Sequence, residues 1–393
     1  MEDHLERATG PGAHGLLRAA LGDTDVLSQR VRQVDHRPGA GTTATWEVRV
    51  RGADGERTEV LGVHLLAGDP AGRVWRFPDD PALPGLAAAT DDARVRALLD
   101  RCDVDPGPVE LRVRSYRAGR RAVVEVRTPA VRLFVKVVQP SALSALAERH
   151  RLLRTAGLPV PRALAAQDDG QLVLEALPGT SLRARLREGA DPAPGGADVL
   201  ELLDLLPGGL CALPRRPSRA DEVRAHAAVT AAALPAEAAR CRQLAEAVRA
   251  AVDDDVAAEP VHGDLHDAQL LLSGGRTVGL LDVDTAGPGR RADDLACLLA
   301  HAHVLAQSEP AHGATTLGIA QRWLADFDRR VDPADLRART AGAVVALATG
   351  PHRVQAAGWQ ESTRARLDLA EQWLAAAHGA AAPGTPAPVR SRR

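Results

Sequence analysis

The stretch PVHGDLHDAQLLLSGGRTVGLLDVDTAG, residues 260–287, constrains this chain more than any other. It reads as a polar loop, a short strand over Leu270–Leu272, a Gly274–Gly275 turn and a second strand over Val278–Leu281. So tight a hairpin brings Asp264, in the loop before it, beside Asp282 and Asp284, directly after it. Carboxylates gathered at strand ends, with apolar residues behind them, suit a divalent cation or a proton transfer. One aspartate alone would read as a solvated loop acid. His262 and His266 also admit a zinc reading, but they lack thiolate company and their spacing is a weak signal.

A second constraint is LFVKVVQP, residues 133–140, which holds the only lysine: of 49 Lys+Arg, 49 − 1 = 48 are arginine. The chain also has no asparagine, one isoleucine (Ile319) and one tyrosine (Tyr116), a bias against AT-rich codons. Under that bias Arg replaces Lys wherever the chemistry is indifferent. Lys is a compact point charge and Arg a wide planar fork, so the lone lysine marks a place where the fork does not fit. Chance retention on a solvated surface is the alternative. In an alternating strand, Leu133, Val135 and Val137 face one way and Phe134, Lys136 and Val138 the other. An ammonium among such neighbours is costly unless paired. Between Lys136 and Gln167 the only acid is Glu148, on the following helix, which makes it the expected partner. A strand lysine held by a helix glutamate is how kinases grip the α- and β-phosphates of ATP; a solvated helix face is the other reading of Glu148.

At 393 residues the chain has room for two or three domains. A net charge of −2 makes no broad case for nucleic acid or an anionic membrane. Cys102, Cys211, Cys241 and Cys297 are scattered, which suggests neither a disulfide framework nor a zinc site. There is no signal-peptide pattern and no run of 18 apolar residues, so a soluble, cytoplasmic protein is expected. A helix near Leu16–Leu21 precedes a hairpin over 42–66; a proline-punctuated loop leads to a helix over Asp91–Arg101 and a DPGP boundary at 105–108. A second hairpin, over 109–138, echoes the first and sets Lys136 where His64 stands; an internal repeat and chance similarity are both open. A helix over 141–156 stops at Gly157, QLVLEALPG forms a strand, and from about 181 the pattern is helical except around 259–285. The expected layout is a cap at 1–105, a strand-rich lobe at 106–178, a helical lobe at 179–378 and a disordered tail at 379–393. A cleft between two such lobes is a usual ligand site.

HGDLHDAQLLL (262–272) followed by LLDVDTAG (280–287) resembles the HGDxHxxN…(I/L)D(W/F)(D/E) signature of the aminoglycoside phosphotransferase family, which includes choline, homoserine and maltose kinases. YRAGRRAVVEV, VKV, LVLEALPG and DDLACLLAH extend the resemblance over roughly 108–375. The resemblance implies an α+β, protein-kinase-like two-lobed fold, with a small β-rich N-lobe, a larger helical C-lobe and an extra N-terminal β-containing cap. It implies transfer of the γ-phosphoryl group of ATP, with Mg²⁺, to a hydroxyl of a small polar molecule: a sugar, an aminoglycoside or a choline-like alcohol. Nucleic acid and membrane are not expected partners. Residue by residue, Asp264 matches the catalytic aspartate that orients and deprotonates the acceptor hydroxyl. Asp282 matches the aspartate that bridges Mg²⁺ to the β- and γ-phosphates, and Asp284 the second acid, for metal or substrate. Gln269 stands where the family has its metal-binding asparagine. Lys136 and Glu148 would fix the phosphates, and Glu175 and Leu177 lie in the hinge that meets the nucleotide. His262 would support the loop, and Asp294 would be structural.

The sequence departs from the family pattern at three places, of which the first two leave a second reading open, a nucleotide-binding pseudokinase or regulatory module, and the third bears on local loop geometry. Gln269 replaces asparagine, RAGRR has one glycine in place of GxGxxG, and Arg290 stands where many members have aspartate. HGDxHxxQ is nonetheless similar to the form in maltokinases, which also carry an N-terminal cap. No HRD, DFG or APE set supports a protein kinase proper. The acceptor is not legible: no decisive acidic cluster favours an amine, and Trp323 or Trp359 could stack on a sugar.

Overall fold

A computed structural model describes residues 4–22, 24–52, 55–68, 72–105, 107–189, 193–253 and 257–380. The chain forms two compact units, one of Met1–Ala147, Arg162–Ala176 and Gly350–Trp359, the other of Glu148–Pro161, Leu177–Thr349 and Gln360–Arg393. The segments expected as cap and strand-rich lobe therefore share one body, and the chain leaves it next to the expected 178/179 boundary.

In the first unit, α1 (His4–Thr9) and α2 (Pro11–Leu21) cover an antiparallel sheet of β1 (Asp25–Arg37), β2 (Gly41–Gly52), β3 (Gly55–Leu66) and β4 (Arg73–Arg76), in that order. Ala8, Ala13, Leu17 and Leu21 pack with Trp46, Val48, Leu61 and Val63, and the Trp46 indole donates to the Ala8 carbonyl at 3.0 Å. Sequence reading missed β1. Along it only Val34 is buried, so an edge strand of Arg and Gln carries almost no apolar alternation.

After α3 (Leu86–Ala89) and α4 (Asp92–Asp100) comes a five-stranded antiparallel sheet ordered β5-β6-β7-β9-β8. Its strands are β5 (Glu110–Arg117), β6 (Arg121–Arg127), β7 (Arg132–Val138), β8 (Ala163–Gln167) and β9 (Gln171–Glu175), with α5 (Pro140–Thr155) between β7 and β8. The expected alternation of β7 holds. Leu133, Val135 and Val137 enter one core with Val124 and Val126, while Phe134 and Val138 pack with Leu143 and Leu146.

The echo between the two hairpins extends to register. The first turns close on Arg37↔Gly41 and Arg117↔Arg121, and the third strands then pair through Gly41↔Leu66 and Arg121↔Val138. His64 opposite Thr43 and Lys136 opposite Val123 thus occupy equivalent rungs. A fourth antiparallel neighbour follows in each sheet, β4 beside His64 and β9 beside Lys136. The shared register covers the first turn and the β2–β3 and β6–β7 pairs; the bulges of β1 and β5 fall at different rungs, and α5 and β8 intervene before β9.

The second unit is helical around one β-rich island. It comprises β10 (Thr180–Ser181), α6 (Leu182–Arg187), α7 (Gly196–Asp204), α8 (Val223–Ala233), α9 (Ala238–Ala251), β11 (Glu259–Val261), β12 (Leu270–Ser273), β13 (Arg276–Leu280), β14 (Gly287–Gly289), α10 (Arg291–Ser308), α11 (Pro310–Phe327) and α12 (Pro333–Ala348). The chain then returns to the first unit for α13 (Gly350–Arg353), before α14 (Trp359–Ala380). β12 and β13 form the expected hairpin, turning at Gly274 (φ +56) and Gly275 (φ +78), the left-handed pair that a two-residue turn requires. A single core joins Leu298 and Leu299 of α10 to Trp323 and Phe327 of α11 and Val344 of α12. Trp323 is 1% exposed and donates to the Pro194 carbonyl at 2.7 Å, so it is a core residue and offers no face to a sugar. Gly379 and Ala380, expected in a disordered tail, are helical; the rest of that tail, 381–393, lies outside the described residues. Among the described residues no helix is long and apolar enough to cross a membrane.

Candidate active site

β11 leads directly into His262, Gly263 and Asp264. Asp294, in the first turn of α10 and 1% exposed, accepts from the backbone N–H of His262 at 2.7 Å and of Gly263 at 2.8 Å. Burial pushes its pKa up, against the pull of the His262 ring and those two N–H groups. The His262 ring is spent inside the loop: Nε2 lies 2.9 Å from the Leu281 carbonyl and Nδ1 3.3 Å from the Asp264 N–H. Those partners place its proton on Nε2. The Thr285 hydroxyl donates to the His262 carbonyl at 3.0 Å. Both ring nitrogens being used, His262 is no zinc ligand beside His266. The loop before the hairpin and the segment after it are thereby stitched together, as the paired motifs imply.

Asp264 keeps 30% of its side chain exposed. Its carboxylate accepts from Arg219 Nη2 and lies 3.8 Å from the Cys297 thiol of α10. Burial raises the Asp264 pKa, but the Arg219 guanidinium and the His266 and His262 rings more than offset this, and the carboxyl lies below its ordinary value. The result is an ionised, accessible acceptor for a hydroxyl proton. Burial pushes the Cys297 thiol up to about 12, so it stays protonated.

Around this carboxylate stand His266 and three residues that sequence reading did not select, Arg183, Asp267 and His301. His266 stacks on His301 of α10, ring centroids 4.2 Å apart. Arg183 of α6 chelates Asp267 at 2.9 and 2.7 Å and reaches His301 Nδ1 at 3.1 Å. Burial lifts the Asp267 pKa, yet His266 and Arg183 hold it well below the carboxylate range. Burial, helped by His266 and Arg219, keeps His301 neutral.

The expected metal residues follow the hairpin. Leu281 N–H donates to the Gln269 carbonyl at 2.9 Å, extending the β12–β13 pairing, so Gln269 lies opposite the residue before Asp282. The Gln269 side-chain amide lies 3.0 Å from His266 Nε2, so the ring holds it in place. Asp282 adopts φ 53, ψ 50, a left-handed conformation uncommon for a residue with a Cβ and typical of functional sites. Asp284 sits in the short turn Val283–Thr285 that follows. An amide oxygen and two carboxylates are the oxygen donors that a hard cation such as Mg²⁺ takes, so the residues present fit it.

Lys136, on β7 between β6 and β9, is 6% exposed. Glu148 departs from expectation: its carboxylate is 38% exposed and taken by Arg151 at 2.7 and 2.5 Å. The reason is helical phase. The buried residues of α5 are Leu143, Leu146, Arg149, His150 and Leu153, and Glu148 falls on the outer face. Glu175 ends β9 with its carboxylate 2.5 Å from Arg162. Leu177 packs on β13, where a Cβ on Gly279 would come 3.0 Å from Leu177 Cδ1. Trp359 stands edge-on to His352, centroids 4.6 Å apart.

The model of the phosphotransferase enzyme family (APH) matches residues 112–314, more than half of the chain. The chain belongs to that family: it has a protein-kinase-like α+β fold and is a kinase-type phosphotransferase acting on hydroxyl groups. Solved structures similar to it include a thermostable mutant of aminoglycoside phosphotransferase APH(4)-Ia with ADP and hygromycin B, at 14% identity over 72% of this chain and 97% of that one, TM-score 0.49. Macrolide 2′-phosphotransferase MphH from Brachybacterium faecium is 20% identical over 70% and 98%, TM-score 0.41. ADP-bound aminoglycoside phosphotransferase APH(2″)-Ib is 14% identical over 71% and 98%, TM-score 0.47. At such scores these likenesses carry no weight in the assignment, which rests on the family model. No curated protein matches the sequence.

Proposed function

We propose that the protein transfers the γ-phosphoryl group of ATP, with Mg²⁺, to a hydroxyl of a small polar molecule. One observation carries this reading: an ionised, part-exposed Asp264 in a loop that His262 and Thr285 tie to the Asp282–Asp284 segment. Asp264 accepts a hydrogen bond from the acceptor hydroxyl and takes its proton as that oxygen attacks the γ-phosphorus, whose bond to the β–γ bridging oxygen breaks so that ADP leaves. Gln269 and Asp282 would hold the metal, with Asp284 as the second acid. A bound Mg²⁺ would supply charge neutralisation for the phosphate being transferred. Lys136 binds the α- and β-phosphates, Glu175 and Leu177 form the hinge at the nucleotide, and Glu148 has no part. Catalysis is positioning and electrostatics, with no covalent intermediate on the protein. Dependence on ATP supports a cytoplasmic reaction.

Asp264→Ala should lower kcat by about 10²–10⁴-fold, the usual worth of a positioned base, while ATP binding, followed by calorimetry, stays near wild type. Equal loss of both would give Asp264 a structural role instead. Lys136→Arg should weaken ATP binding, because the fork cannot take the place of the ammonium; unchanged affinity would remove the lysine from the nucleotide site. A pseudokinase is the alternative, favoured by Gln269 and the single glycine of RAGRR. It would bind ATP and label no acceptor.

A further inference from the structure

We infer that the acceptor is a polyhydroxylated molecule bearing an anionic group, selected by Arg219 and the donors beside it. The inference rests on the phosphotransfer reading above and names the substrate class of that same site. A cationic acceptor needs unspent carboxylates near the reacting hydroxyl, and the acids here are engaged. Asp264 itself holds Arg219, and Asp267 is chelated by Arg183. Asp294 accepts two backbone N–H groups, and Asp293 pairs with Arg339 at 3.0 Å. Asp221, next to Arg219 in the chain, holds Arg215 at 2.6 Å and the Ser218 N–H at 2.8 Å.

What borders Asp264 is rich in donors. The Arg219 side chain is 28% exposed and that of Arg183 31%. One Arg219 nitrogen meets Asp264, and a guanidinium has five N–H groups in a fixed fork. It can therefore hold the base and an acceptor anion together. His301 adds another donor. Its Nδ1 accepts from Arg183, which puts the ring proton on Nε2, and this buried Nε2 has no hydrogen-bond partner. An orphaned buried N–H is costly, and an oxygen ligand would satisfy it.

Asp264, His266 and His301 offer atoms within 4.8 Å of one another, a spacing that would also admit a divalent cation. Charge argues against one. Arg219 contacts Asp264, and an Arg183 nitrogen lies 3.1 Å from His301 and 3.5 Å from His266, so a dication would meet two fixed guanidinium groups at short range. The same groups give an anionic oxygen charge-assisted hydrogen bonds.

Three six-carbon probes, gluconate, glucitol and glucamine, share a hydroxylated skeleton and differ in charge at one end. Binding of each to the full chain with Mg²⁺ and ADP, by calorimetry or saturation-transfer NMR, should rank gluconate first and glucamine last. Gluconate should exceed glucitol by at least about tenfold, as a charge-assisted bond requires. Arg219→Gln should collapse that advantage and Arg219→Lys restore part of it. The wild-type ranking is itself decisive should either variant fail to fold. Glucamine binding as well as gluconate, or no dependence on charge, absence of all binding included, overturns the inference. Failure to bind ADP, or to pass phosphate from ATP to any hydroxyl, overturns the phosphotransfer reading separately.

Discussion

Gly263 is where space and backbone make the same demand. Its φ is +81, and a Cβ there would stand 2.7 Å from the Thr285 carbonyl oxygen. Gly263→Ala should therefore strain the peptide that presents Asp264, costing about 1–3 kcal/mol and lowering kcat more than nucleotide affinity. Urea unfolding alongside kinetics would check this; wild-type kcat would mean that the loop absorbs the methyl. At this scale the site was half legible. Asp264, Gln269, Asp282 and Asp284 were readable because one hairpin gathers them and their spacing is local. Arg183, Arg219, Cys297 and His301 were not: they arrive from α6, from the loop before α8 and from α10, and 48 arginines (49 − 1) conceal the two that matter. That Glu148 meets Arg151 was not readable either, since being the nearest acid along the chain says nothing about helical phase.

Among the elements, α10 organises the site. Asp294, Cys297 and His301 follow one another at i, i+3 and i+7, one face of the helix, and each meets the catalytic loop or its neighbours. The sequence announced this helix, but not that its face builds the wall behind Asp264. The helix α8 carries a pH consequence. His226 has its pKa pushed down to about 4 from 6.5, by burial and then by Arg219. Between those values the unfolded chain binds the proton and the folded chain does not, so stability is full above the upper value and falls as pH drops through the window. The loss is up to about 1.4 kcal/mol per pH unit. Thermal melts at neutral pH and near about pH 5, within the range where histidine titrates, should show a smaller acid-induced drop for His226→Gln than for wild type. Equal drops would place the lability in another group.

Across the whole chain, arginine does the structural work of a missing lysine repertoire. Arg339, 1% exposed, bonds Asp335 at 2.8 Å, Asp293 at 3.0 Å and the Asp253 carbonyl at 2.5 Å, joining α12, α10 and the segment after α9. Arg339→Met would strand those partners and should cost about 3–5 kcal/mol; Arg339→Lys, without the fork, should recover only part. Denaturant midpoints would measure it, and a loss below about 1 kcal/mol, the worth of a surface pair, would mean that water replaces the guanidinium. At this scale the alternation of the hairpins and the helical half were readable. The return of 350–359 to the first unit was not, since nothing local in GPHRVQAAGW marks where it docks.

The matched rungs of the two sheets invite a comparison of what each position holds. His64 bonds Thr43 at 2.8 Å, and burial, with Arg73, keeps its ring toward the neutral form. The equivalent position of the second sheet holds Lys136, the chain's one lysine. The N-terminal sheet can therefore serve as an internal control: a substitution tolerated at His64 and refused at Lys136 would mark a demand that strand pairing alone does not make.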